Sequence, residues 1–303
     1  QDPPGKTTSF VYDNNNNLTA FTDSSGNVSQ YSYDNNGLLQ TITLPNNSIY
    51  NFTYQDGVLK TSTDPSGRTS TNTYDGAGRL ISINDPAGKT TSFTYDPLDN
   101  LTRISDPLGN STIFSYDSLG NRTGITDANG NQTTMTYDNN ENLTLIKDAQ
   151  NNEMLYEYDG EDRLIKTINA RGSVTVLLRD ASGRITGLTD PLGNTLTFMY
   201  DPAGNITGIK DAYGTRVSTI MYDSCYNPIS ISDALGNTIN KEFDQLNRLV
   251  KSINPLNQST SFAYDNLDRL VMNTDAANSQ ACQKFDAVGN LVMITDPNYH
   301  LHL

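Results

Sequence analysis

Polar and apolar residues alternate in short segments that recur along the chain. Thr91, Phe93 and Tyr95 occupy every second position of one segment, and the same alternation returns 21 residues later at Thr112–Tyr116. Period-two alternation of threonine and aromatic residues is typical of a half-buried β-strand. No helical periodicity interrupts these segments, so the pattern predicts an all-β chain.

A second kind of segment lies between the alternating ones. It carries a pair of aliphatic residues three positions apart, such as Leu80 with Ile83 and Leu101 with Ile104. Side chains three positions apart point to opposite faces of a regular strand, because successive residues alternate. The spacing therefore predicts a β-bulge or a sharp local twist in each of these segments.

An aromatic residue, usually followed by Asp, ends each alternating segment and defines the period. The spacing is 21 residues, except for 20 from Tyr54 to Tyr74 and 22 from Tyr200 to Tyr222, and Arg179 replaces the aromatic residue at one position. We call these positions the anchors and expect them to pack hairpin against hairpin. The aromatic anchors are Tyr12, Tyr33, Tyr54, Tyr74, Tyr95, Tyr116, Tyr137, Tyr158, Tyr200, Tyr222, Phe243, Tyr264 and Phe285.

Each period contains two turn signatures. The anchor Asp opens one turn, and an Asp-Pro-x-Gly type of sequence, as at Asp106–Gly109, opens the other. Asp at the first position and a residue that tolerates positive φ at the fourth favour a type I turn followed by a left-handed residue, a common hairpin loop. The glycines predicted for the second turn are Gly26, Gly67, Gly88, Gly109, Gly130, Gly172, Gly193, Gly214 and Gly236.

The repeating unit is therefore a β-hairpin of 21 residues. We predict a solenoid or spiral of about fourteen hairpins that forms a curved shell or tube wall, as one continuous array over residues 1–303. A seven-bladed β-propeller is the second interpretation, because two repeats supply the four strands of a blade, but odd and even repeats do not differ. A right-handed β-helix ranks third, because two hairpin turns per period fit it less well.

Composition supports a fold without a broad two-sided core. Hydrophobic residues make up 35% of the chain, Trp is absent, and mean hydropathy is −0.54. The net charge of −14 argues against nucleic acid and anionic membranes as partners. No apolar run approaches the roughly 20 residues of a membrane-spanning helix.

No catalytic, cofactor or metal site is predicted. Cys225 and Cys282 cannot form a disulfide framework, and His300 with His302 supply too few ligands for zinc. The Asp residues recur with the turns, where Asp normally bonds its own backbone, so turn formation explains them better than calcium binding. Packing likewise explains the tyrosines better than glycan binding. The sequence therefore indicates a protein that is not an enzyme.

Three motifs carry a resemblance that covers essentially the whole chain. The Tyr95-Asp96 anchor, the Asp106–Asn110 turn and the Gly78–Leu80 entry into the second strand are similar to the YD-repeat, or RHS-repeat, family. The resemblance implies a spiralling β-sheet shell that encloses a hollow. In bacterial insecticidal toxin complexes and RHS toxins such shells sequester a toxic domain, and in teneurins similar repeats belong to large surface molecules.

These observations predict a structural scaffold, a secreted bacterial shell that encloses or presents a cargo domain. The alternative is an extracellular fibre or adhesion element, built from repeats joined end to end and contacting surface glycans. The expected partners are further copies of the repeat, an encapsulated cargo or a glycan. The chain starts and stops within a repeat, at Asp2-Pro3 and after Asp296-Pro297, so we expect a segment of a longer array or of an end-to-end assembly.

Overall fold

The computed structural model describes residues 6–296, which form β-strands joined by turns. Within that range no helix is long and apolar enough to cross a membrane. The strands are β1 (Lys6–Tyr12), β2 (Leu18–Thr22), β3 (Val28–Tyr33), β4 (Leu39–Thr43), β5 (Ile49–Gln55), β6 (Val58–Thr63), β7 (Thr69–Tyr74), β8 (Leu80–Asn84), β9 (Thr90–Tyr95), β10 (Leu101–Ser105), β11 (Ser111–Tyr116), β12 (Arg122–Thr126), β13 (Gln132–Tyr137), β14 (Leu143–Lys147), β15 (Glu153–Tyr158), β16 (Leu164–Ile168), β17 (Val174–Arg179), β18 (Ile185–Thr189), β19 (Thr195–Tyr200), β20 (Ile206–Lys210), β21 (Arg216–Tyr222), β22 (Pro228–Asp233), β23 (Thr238–Phe243), β24 (Leu249–Ile253), β25 (Ser259–Tyr264), β26 (Leu270–Thr274), β27 (Gln280–Phe285) and β28 (Leu291–Asp296).

The strands fall into two compact units. Unit 1 comprises the described parts of Gln1–Thr71 and Ile220–Leu303, and unit 2 comprises Asn72–Thr219. The boundaries lie inside strands β7 and β21. The all-β prediction is confirmed, and both units are built from the same hairpin.

Consecutive strands pair antiparallel throughout each unit. In unit 2 the ladder runs without a break from β8 to β20. In unit 1 it runs from β1 to β6 and from β22 to β28. A propeller would interrupt the ladder after every fourth strand. The propeller interpretation is therefore wrong.

The first and last described strands pair with each other inside unit 1. Strand β1 runs antiparallel to β28, with Lys6 opposite Asp296 and Ser9 opposite Met293. Within the described residues the outer edge of β1 is therefore paired with the outer edge of β28.

The predicted bulge is present in β9–β10, β13–β14 and β19–β20, among other hairpins. In β9 and β10, Tyr95 lies opposite Leu101 and Thr94 lies opposite Arg103, so no residue of β9 lies directly opposite the intervening Thr102. The extra residue resets the alternation of side chains. As a result Leu101 and Ile104, three positions apart, lie on the same face of the sheet.

The turns have the predicted hairpin geometry. In the turn at Asp106 the amide of Gly109 donates to the Asp106 carbonyl, and the amide of Asp106 donates to the Asn110 carbonyl. Gly109 has φ 88°, a left-handed conformation that glycine adopts without steric cost. Each of the nine predicted turn glycines has positive φ, between 74° and 88°.

The two faces of the sheet differ in chemistry. The aromatic face, as we call it, carries the anchors together with residues such as Phe93 and Ile104, which are opposite each other. The opposite face carries mainly Thr, Ser and charged residues, such as Thr94 and Arg103. Residues of the aromatic face are mostly half-buried. Among the described residues, Met135 is the one buried hydrophobic residue, at 8% exposure. The sheet is thus a single layer.

Candidate functional site

The anchors form a ladder on the aromatic face. Each is the last residue of an odd-numbered strand, except that Gln55 follows Tyr54 in β5. The Tyr95 hydroxyl donates to the carbonyl of Leu80, 15 residues earlier in the preceding hairpin, at 2.9 Å. Equivalent bonds of 2.7–2.9 Å are made by Tyr33, Tyr116, Tyr137, Tyr158, Tyr200 and Tyr264. These hydroxyls therefore join hairpin to hairpin.

The same bond is made where β1 meets β28. The Tyr12 hydroxyl donates to the Leu291 carbonyl at 3.1 Å. Leu291 lies as many residues after the anchor Phe285 as Leu18 lies after the anchor Tyr12. It therefore occupies the repeat position whose carbonyl accepts the ladder bond. The Asn290 amide also donates to the Asn16 side chain at 3.0 Å. The last hairpin therefore contacts the first as any hairpin contacts its successor.

Four anchors depart from the ladder in ways that their residue types explain. Arg179 replaces the missing hydroxyl with its guanidinium, which donates to the carbonyls of Leu164 and Gly183 at 3.1 and 2.8 Å. Phe243 and Phe285 supply a ring without a donor. Tyr54 precedes a two-residue turn at Asp56-Gly57, one residue shorter than the others, and its hydroxyl does not make the ladder bond.

The remaining anchors, Tyr74 and Tyr222, lie in β7 and β21. The Tyr74 hydroxyl accepts a hydrogen bond from the Asn72 amide at 3.4 Å. Elsewhere in the ladder, burial raises the pKa of Tyr33 and of Tyr158, which keeps these hydroxyls protonated as donors.

Arginines that the sequence analysis did not single out brace the ladder. The Arg79 guanidinium lies over the Tyr95 ring, 4.9 Å from its centroid, and also binds Asp75 and Asp99. Hydrogen bonding to Asp75 raises the pKa of Arg79. Three further arginines stack on the next anchor ring in the same way, at 4.5–4.8 Å: Arg184, Arg248 and Arg269. The recurring Arg-Leu/Ile pair at the start of the second strand was the available signal.

The turn carboxylates accept hydrogen bonds from residues of their own loops. One Asp106 oxygen accepts the amides of Leu108 and Asn110, and the other accepts the Asn110 side-chain amide. The Asn110 side chain is the main cause that holds the pKa of Asp106 below its ordinary value. Such a carboxylate remains ionised and has few free lone pairs, so it is poorly suited to proton transfer.

Nothing in the described part of the chain assembles these groups into a reactive site. Groups of three His, Cys, Asp or Glu residues placed to hold a metal ion do not occur among the described residues. Cys225 is exposed in a turn, Cys282 is half-buried, and both are free thiols. His300 and His302 lie outside the described residues.

The clefts of the structure are open and shallow. One of about 490 Å³ lies beside the β1–β28 pair in unit 1 and is lined by Val11, Val288 and Val292 with Asp13 and Asp286 at its rim. Others of about 360–490 Å³ lie between neighbouring turns and are lined mainly by Asn, Gln, Thr and Asp. These four clefts are open to solvent, so the extended faces are the candidate functional surfaces.

Comparison with known proteins agrees with this architecture. The sequence model of the RHS Repeat family matches residues 12–49, 55–90, 74–111, 95–132, 116–153 and 179–216, together more than half of the chain. Comparison with curated protein sequences gave no significant match.

Several solved structures resemble the chain at low sequence identity. TcdB2-TccC3 without its hypervariable C-terminal region is 15% identical, with a TM-score of 0.46, over 96% of this chain and 20% of that one. The Photorhabdus luminescens Tc holotoxin pore is 13% identical, with a TM-score of 0.45, over 94% of this chain and 19% of that one. TcdB2-TccC3-Cdc42 is 12% identical, with a TM-score of 0.43, over 93% of this chain and 21% of that one. The chain thus spans about a fifth of the length of these structures.

Proposed function

Because this chain belongs to the RHS repeat family, we propose that it is a non-catalytic scaffold whose hairpins form the curved wall of a shell. The wall encloses or presents a cargo polypeptide on its aromatic face. The observation that carries this proposal is that, in each unit, the hairpins form an antiparallel ladder with an apolar, aromatic face.

The exposed surface supports a wall rather than a packed domain. The chain has an accessible surface of 18968 Å², whereas a compact monomer of this mass exposes about 12,600 Å². A sheet with one apolar face normally buries that face against another layer. Here the side chains of the aromatic face are mostly half-buried, so a covering polypeptide has apolar surface to contact.

The polar chemistry supports a scaffold rather than an enzyme. Turn carboxylates, anchor hydroxyls and the stacked arginines each have partners within the repeat. A catalytic group needs a free acceptor or donor in reach of a substrate. The repeat instead uses the carboxylates to close its turns, and it uses the hydroxyls and arginines to join neighbouring hairpins.

The proposal also covers where the shell acts and what protein it belongs to. We place the shell outside the cell as part of a larger secreted protein, and we regard residues 1–303 as one continuous array within a longer one. A fibre of copies joined end to end is the less favoured reading, because the pairing edges of β1 and β28 are occupied by each other.

A pair of adjacent threonines allows a direct test. Thr133 lies on the aromatic face, opposite Ile125, and Thr134 lies on the other face, opposite Gly124. In the native gene product, a protease-protected cargo segment should become accessible in Thr133→Glu and remain protected in Thr134→Glu. Electron microscopy of the same particles should show a hollow body. Filaments, a solid particle, or equal protection in both variants would contradict the proposal.

A further inference from the structure

Strands β14 to β17 of unit 2 differ from the other strands because they are apolar on both faces. On most strands the face opposite the anchors carries Thr, Ser or charged residues. Here it carries a group that we call the leucine–valine patch, which consists of Leu145, Leu155, Ile168, Val174, Val176 and Leu178.

The patch is continuous across the four strands. Leu145 is the direct cross-strand partner of Leu155, Leu155 of Ile168, and Ile168 of Val174. Directly opposed residues in an antiparallel pair have Cβ atoms about 4.5–5.5 Å apart, so their side chains touch. The result is one unbroken apolar row.

The corresponding positions elsewhere in unit 2 are mostly polar or glycine, with Ile113 and Met199 as isolated exceptions. In β9 and β10 the face opposite the anchors pairs Ser92 with Ser105 and Thr94 with Arg103. The patch therefore does not come from the repeat consensus, and the stability of the repeat does not require it.

The patch is open to solvent. Leu155 is 38% exposed and Leu178 is 46% exposed. Contiguous exposed apolar surface commonly marks an interaction site.

Two ion pairs flank the row, one toward each end of the strands. Lys147 binds Glu153 at 3.3 Å, and Lys166 binds Glu157 at 2.8 Å. The patch and its rim are therefore electrically neutral, although the chain carries a net charge of −14. Two copies of an acidic chain repel each other least through a neutral surface.

We propose that the leucine–valine patch is a self-association surface that binds the same patch of a second copy of this chain. A two-fold axis parallel to β15 and β16, midway between them, places Leu155 over Ile168 and Leu145 over Val174 of the second copy. The same axis places Glu157 over Lys166 of the second copy. The surface is thus complementary to itself in both packing and charge, as an isologous contact requires.

The size of the patch sets the strength of the contact. Four strands about 4.8 Å apart and about 17 Å long cover roughly 330 Å². This is well below the roughly 800 Å² that each partner contributes to a standard interface. The contact is therefore a weak, reversible one between scaffolds and is separate from the proposed role of the aromatic face.

Sedimentation of the full chain over a concentration series tests the proposal. The wild type should associate reversibly, and Leu155→Glu should raise the dissociation constant at least about tenfold, as expected for loss of a central apolar contact. Ile113→Glu is the matched control, because Ile113 takes the same strand position and is 43% exposed but lies outside the patch. The control should associate as the wild type does.

Charge exchange separates specific docking from a folding defect. Glu157→Lys and Lys166→Glu should each weaken association, and the double variant should restore it, because the two charges face each other across the axis. A wild type that stays monomeric up to its solubility limit would overturn the proposal. So would equal losses in Leu155→Glu and Ile113→Glu, or a double variant that is no better than the single ones. A monomeric chain whose patch bound an amphipathic helical peptide instead would assign the surface to a different partner.

Discussion

The ladder of anchor hydroxyls makes a specific prediction about the substitution Tyr95→Phe. Tyr95 donates to the Leu80 carbonyl at 2.9 Å in a partly buried position. The substitution removes the hydroxyl and keeps the ring that Arg79 covers. A hydrogen bond of this kind contributes about 0.5–1.5 kcal/mol, so the contact between the two hairpins should weaken by that amount.

The chain also offers the reverse change. Phe285 is stacked under Arg269 at 4.5 Å but has no hydroxyl. By the repeat geometry a tyrosine there would donate to the carbonyl of Leu270, 15 residues earlier. Phe285→Tyr should therefore stabilise the contact between the last two hairpins by about 0.5–1.5 kcal/mol.

Hydrogen exchange followed by mass spectrometry measures both effects locally, which matters because repeat proteins unfold in parts. Peptides covering β8–β11 should exchange about 2- to 13-fold faster in Tyr95→Phe, the ratio that corresponds to 0.5–1.5 kcal/mol. Tyr213→Phe is the control, because Tyr213 is 91% exposed. If Tyr95→Phe and Tyr213→Phe gave the same exchange, the hydroxyl would not join hairpins and the reasoning would fail.

Further predictions concern glycines and acidity. Gly208→Ala should destabilise the chain by more than about 1 kcal/mol, since a Cβ there would lie 2.6 Å from the Ser218 carbonyl oxygen. A Cβ added at Gly124 would lie 3.5 Å from its nearest neighbour, so Gly124→Ala should stabilise the chain by about 0.5–1 kcal/mol through lost freedom of the unfolded state. Urea denaturation measures the change in stability of both variants, and shifts of the same sign would contradict this account. Hydrogen bonding lowers the pKa of turn carboxylates such as Asp106 below 3.8. Their stabilisation is present above that pH and is lost as the pH falls through the lower folded values. Circular dichroism should show unfolding below about pH 4, and a transition centred near neutral pH would contradict this assignment.

The features that the sequence predicted are those determined within one repeat. Turn type follows from Asp and Gly at the first and fourth turn positions, as at Asp106 and Gly109, and the bulge follows from the spacing of Leu101 and Ile104. Each depends on neighbouring residues, so local chemistry is sufficient. The ladder position of the anchors followed from their period for the same reason.

The features that the sequence did not predict depend on contacts between repeats. The pairing of β1 with β28, with Tyr12 bonded to Leu291, depends on geometry that no single 21-residue repeat specifies. The stacking of Arg79 on Tyr95 requires knowledge of which turn lies beside which ring. The leucine–valine patch required the register, because each bulge changes which residues share a face.

The stability of a single-layer sheet rests on its neighbours, and this explains the range of anchor residues. A lone hairpin is marginal in water, and with so few buried residues each hairpin depends on the bonds it makes to the next one. Arg179 illustrates the requirement: it lacks a ring, yet it donates to the Leu164 carbonyl that a tyrosine hydroxyl would bind. Arg179 thus keeps the donor without the ring, and Phe285 keeps a ring under an arginine without the donor. A residue that supplies neither should weaken the ladder at that contact, whatever its own β-propensity.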